Sequence, residues 1–146
     1  MIKSKKNWDT SFQNACQSYI DPVLCSFFTI KYQRIAYESW AIYTNKNIVF
    51  ELCFELPIFP YLSFETKDTK GKSHTKIIKA KDISKELAVL SKTFLTLDSS
   101  NLSKWMTNCK KGEYDDLMFC GIKLISEFLD VCINEQEIVG IKFQLS

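Results

Sequence analysis

Three glutamates, Glu38, Glu51 and Glu55, a single histidine, six cysteines and one Gly-Lys-Ser triplet are the residues whose types suit chemistry. Paired carboxylates can do acid–base work, but Glu51 and Glu55 are four residues apart in an alternating stretch. Along a strand that spacing separates them by roughly 13 Å. Glycoside hydrolysis uses separations of about 5–9.5 Å. They are expected as an acidic strip, solvated or facing a partner, with Glu38 near them across a hairpin. Nucleophilic catalysis needs a base beside a Cys or Ser. His74 stands in a polar, lysine-rich segment, and no Gly-x-Ser-x-Gly elbow occurs. The cysteines, at 16, 25, 53, 109, 120 and 132, form no Cys-x-x-Cys pair, and there is no His-Glu-x-x-His. Neither a metal nor a cofactor is expected. Gly71-Lys72-Ser73 matches the end of a phosphate-binding loop, but Thr66 stands where that motif requires glycine. A lysine-rich loop accounts for it better. No catalytic apparatus is visible.

These residues must be positioned by a sheet. From 48 to 56 the residues alternate without interruption: Ile48, Phe50, Leu52, Phe54 and Leu56 point one way, and Val49, Glu51, Cys53 and Glu55 the other. A period of two marks a strand with one buried face. Residues 34–44, rich in Tyr, Ile and Trp, suit a preceding strand. Asn45-Lys46-Asn47 between them reads as a tight turn, since Asn tolerates positive φ. Pro57 and Pro60 interrupt the ladder, and 61–66 resumes it. The register of the first hairpin decides whether Trp40 faces core or solvent, and the sequence leaves that open.

Helices must cover the apolar face. Phe12, Cys16, Tyr19 and Ile20 fall on one face of a first helix, which Asp21-Pro22 breaks. Residues 67–76 read as an exposed loop or hairpin tip, with Ile77-Ile78 a short strand or a lead into the next helix. Asp82 is a plausible cap for a second helix striped by Ile83, Leu87, Leu90 and Phe94. Residues 98–101 start a third, with Leu102, Trp105, Met106 and Cys109 on one side. The fourth, about 115–133, is apolar nearly all round, which places it in the core or an interface. Gly121 within it suggests a close crossing. Val139, Ile141, Phe143 and Leu145 alternate with polar residues or glycine, so a last strand rejoining the sheet is expected. The fold class is therefore α+β: an antiparallel meander of four to five strands, covered mainly on one face by three to four helices.

At 146 residues the chain reads as a single domain, 1–146, with residues 1–8 frayed. A net charge of +2 is too small to predict nucleic-acid binding. No apolar run approaches a membrane span, and no apolar region follows the basic residues 1–7 as a secretory signal requires. The cysteines are expected as free, mostly buried thiols of a cytoplasmic protein, because disulfide-dense domains are core-poor and this chain is not.

The order helix, Asp21-Pro22 break, Phe27-Phe28, then RIAYESWAIYTNKNIVFELCFEL over 34–56, resembles a loose class of small bacterial α+β proteins. Some of these sit beside toxins as immunity proteins. The resemblance spans about 11–133 and departs at Ser26, where a glycine usually precedes the aromatic. It supplies no catalytic residue and implies a binding protein. The expected function is a small intracellular protein-binding module, concretely an immunity-type inhibitor of a cognate toxin. Glu38, Trp40, Glu51 and Glu55 would carry the contact. The alternatives are a homo-oligomeric scaffold, with the fourth helix or last strand as its seam, and an enzyme whose site the fold alone assembles. A partner protein or self-association is expected, and neither nucleic acid nor membrane.

Overall fold

The computed structural model describes residues 8–55, 58–98 and 113–145. Five strands, β1 Thr29–Ile35, β2 Glu38–Thr44, β3 Ile48–Glu55, β4 Tyr61–Lys67 and β5 Ser73–Ile78, form one antiparallel sheet in sequence order. The α+β meander is as the alternation predicts, with one more strand at its start. Ile30 and Tyr32 of β1 carry too few buried partners to announce an edge strand. The β1–β2 connection is only Ala36-Tyr37, with Ala36 at φ 52.

Antiparallel partners share a face, so the register sorts the sheet into two. Ala41, Tyr43, Ile48, Phe50, Leu52, Phe54, Leu62 and Phe64 face inward and are buried. Onto them pack α1 Trp8–Tyr19, the single turn α2 Asp21–Leu24, α3 Lys85–Asp98 and α4 Glu113–Glu135. In α1 the buried positions Phe12, Ala15 and Cys16 make one stripe, continued by Ile20, and Phe12 stacks on Phe54 at 6.2 Å. Pro22 sits in the first turn of α2, where its missing N–H costs nothing.

The helix α4 differs from the expectation of an all-round apolar cylinder. Met118, Ile122, Ile125, Leu129 and Cys132 form its buried stripe, while Lys123, Glu127, Asp130 and Asn134 are exposed. Gly121 does mark a close approach, but of a loop: a Cβ there would collide with the ring of buried Phe59.

Other local expectations are corrected. The turn at 45–47 uses no positive φ. Asn45 instead works through its side chain, accepting from the Asn47 N–H at 3.1 Å and donating to the Phe27 carbonyl at 2.8 Å. The segment 67–76, read as an exposed loop or hairpin tip, is a hairpin tip: half of it is strand, and the tip itself is 68–72. Asp82 is the last residue of a short 3-10 turn, Ala80–Asp82, where its carboxylate accepts the N–H of the N-cap residue Lys79 at 3.3 Å, and Ser84 caps α3 through the Leu87 N–H at 2.9 Å. The chain's last strand does not rejoin the sheet: β6 Glu137–Ile138 and β7 Ile141–Lys142 pair with each other. The tail docks through Phe143, edge-on to Phe50, and through Asn47, which donates to the Gln144 carbonyl at 2.9 Å. The third helix expected from 98–101 lies outside the described residues, as do residues 1–7 of the end expected as frayed over 1–8; its last residue, Trp8, opens α1.

Candidate functional site

The face of the sheet turned away from the helices is where the predicted residues gather. Three cross-strand rows define its centre. The first is Ile35, Glu38, Glu55; the second Gln33, Trp40, Cys53, Tyr61; the third Lys31, Ile42, Glu51, Ser63, Ile77. None of these residues belongs to the buried cluster beneath the helices or packs against it. The structure thus brings Glu38, Trp40, Glu51 and Glu55 onto one surface, and the register turns Trp40 away from the core.

Trp40 is half-buried there by its neighbours, and its indole N–H donates to Glu38 Oε2 at 3.0 Å. Glu38 and Glu55 are direct partners in the β2–β3 ladder. Like charges so placed destabilise a sheet. None of the three carboxylates has an ion-pair partner among the described residues. Between them lies Cys53, fully buried although on the outer face. Burial first, and then the charges of Glu38, Glu55 and Glu51, push its thiol up to about 12, against a hydrogen bond from the Tyr61 hydroxyl. Burial, Cys53 and the charges of Glu55 and Glu38 raise Tyr61 above the usual phenol range. A thiol held protonated is a poor nucleophile and a poor metal ligand.

The site continues into a cavity of about 390 Å³ at the corner where β3, β4 and β5 meet α3. Glu55, Ile58, Phe59, Pro60, Tyr61, Ile77, Lys79, Ala80 and Ser91 line it. Neither the cavity nor Tyr61's place beside Cys53 is read from sequence. Alternation alone puts Cys53 with Glu51 and Glu55, but Tyr61 joins them only through the β3–β4 register across the proline-bearing turn.

Two other clusters are structural. Asp21 accepts hydrogen bonds from the hydroxyls of Tyr32 at 2.7 Å and Tyr43 at 2.8 Å, tying α2 to β1 and β2. Cys16 lies against this group, and burial holds its thiol well above the ordinary range. At the β4–β5 tip, Asp68 Oδ1 accepts the N–H groups of Lys70 and Lys72, each at 2.9 Å, and its Oδ2 meets His74 Nε2 at 2.8 Å. A carboxylate therefore occupies the place a phosphate would need at the Gly-Lys-Ser segment, which bridges two strands and leads into no helix. Among the described residues no group of three His, Cys, Asp or Glu could hold a metal, and no helix is long and apolar enough to cross a membrane. No family model, curated protein or solved structure matches this chain.

Proposed function

We propose that this chain is a protein-binding module that presents the outer face of its sheet to a partner with a basic surface, most concretely as an inhibitor that occludes a toxin. The observation that supports this is the directly opposed Glu38–Glu55 pair beside Trp40, with Glu51 two rows on, none of them in an ion pair with a described residue, on a face no described helix covers. An aromatic with its edge already hydrogen-bonded loses little rotamer freedom when a partner stacks on it, and anchors of this kind dominate interface energetics. The surrounding carboxylates would steer a cationic partner and fix its register more than they would add affinity. Occlusion requires only complementarity, and no residue of this face needs to react.

The test is affinity capture with the tagged chain from its native host, beside Glu51→Lys/Glu55→Lys. One stoichiometric partner, lost in the double variant and weakened by salt, is the expected result. Equal capture by both proteins overturns the assignment of the face.

A further inference from the structure

We infer that the docking segment of the partner carries a bulky apolar side chain beside an arginine or lysine, the apolar group seated in the 390 Å³ cavity and the cation laid across Glu55 and Glu38. This rests on the proposed protein-binding role of the face. The cavity walls are mostly apolar, from Ile58, Phe59, Pro60, Ile77 and Ala80, with few polar groups at the margin. Concave apolar pockets with a few placed polar groups are the usual seats of an anchoring group. Glu55 belongs both to the cavity and to the opposed carboxylate pair, so a group leaving the cavity on that side meets two carboxylates that make no ion pair with a described residue. Lys79 lies on the margin with the opposite sign, which orients the segment: cation toward Glu55, carbonyl or carboxylate toward Lys79. Phosphate-bearing ligands such as nucleic acid would meet three glutamates.

The experiment titrates the isotopically labelled full chain with three synthetic capped peptides, Gly-Ser-Arg-Phe-Ser-Gly and its Glu-Phe and Arg-Ser counterparts, followed by amide NMR shifts. The Arg-Phe peptide should move the amides of Glu55, Tyr61, Ile77 and Lys79, and either replacement should weaken binding about tenfold or more. Ser91→Phe, which fills the cavity from α3, should abolish the response while the rest of the spectrum stays in place. If that variant does not fold, Ile77→Ser, at a position 65% exposed, removes one wall instead. Equal response to all three peptides, no response, or shifts confined elsewhere overturn the inference. A captured partner lost in Glu51→Lys but held unchanged by Ser91→Phe also overturns it while leaving the binding module standing. Dimerisation that displaces the Arg-Phe peptide gives the cavity to a second copy, and equally overturns it.

Discussion

Glu38 and Glu55 stand directly opposite each other across β2 and β3, two carboxylates where a cross-strand pair of opposite charge would stabilise the sheet. The fold carries this repulsion on its outer face, and neither carboxylate forms an ion pair with a described residue. Replacing Glu55 by Gln should therefore raise stability in low salt at neutral pH, by roughly 0.2–1 kcal/mol. Urea unfolding in low and high salt checks this. The gain should shrink as salt screens the pair, and a loss of stability would mean that Glu55 has a favourable partner.

The Asp21 cluster predicts the opposite sign. Tyr43 is fully buried and donates to Asp21 at 2.8 Å. Tyr43→Phe keeps the ring but leaves Asp21 one donor short, and should cost about 1–3 kcal/mol in chemical denaturation. Tyr32, only half-buried, should cost less on the same substitution.

Gly121→Ala sets two effects against each other. Alanine favours the helix by about 1 kcal/mol. Its methyl group would drive into the Phe59 ring, an overpacking of about 1–3 kcal/mol. Net destabilisation is expected, relieved in the Gly121→Ala/Phe59→Leu double variant. An additive double-mutant cycle would show that the ring is not what the methyl meets.

The β4–β5 tip has a pH dependence of known sign. His74, then the N–H groups of Lys72 and Lys70, hold the Asp68 carboxyl below its ordinary 3.8. A depressed folded value stabilises the hairpin above the ordinary carboxylate range, and that contribution fades as pH falls through the folded value. Carboxyl NMR titration should find the Asp68 midpoint below 3.8, and His74→Ala should move it upward.

Thiol reactivity should divide the cysteines. The described ones are free: Cys25 and Cys120 exposed, Cys16, Cys53 and Cys132 buried. Burial pushes Cys53 and Cys132 each up to about 12. At pH 8, iodoacetamide followed by peptide mapping should label Cys25 and Cys120 rapidly and spare the other three. Fast labelling of Cys53 would mean that the outer face opens.

The parts of this fold legible in sequence are those whose signal is local. The alternation of 48–56 placed β3, its faces and the Glu51–Cys53–Glu55 strip, because a period of two has one structural solution. The Phe12–Ile20 stripe and Pro22 placed α1 and its end equally well. What failed depends on partners distant in sequence. β1 is an edge strand with half-buried residues, so its pattern is faint. The 139–145 alternation is strand-like, yet the sheet's edges lie elsewhere and Phe143 is taken by Phe50. Asn45 was legible as a turn residue but not in its mechanism, since the Phe27 carbonyl that receives its amide is eighteen residues away. The orientation of Trp40 required the β1–β2–β3 register, and the cavity required α3.

Because each strand of the meander pairs with its sequence neighbour, the sheet can assemble hairpin by hairpin, with short loops to close at every step. Its inner surface is different. Phe50, Leu52, Phe54 and Phe64 are sealed in part by α4, which follows β5 by more than thirty residues. A growing or refolding chain can therefore hold a paired sheet whose apolar face α1 and α2 cover only in part until that helix arrives, and exposed apolar surface of this kind favours aggregation. Gly121, which admits the Phe59 ring to that helix, is therefore a position where an added side chain is expected to slow the docking of α4 as well as to disturb its packing.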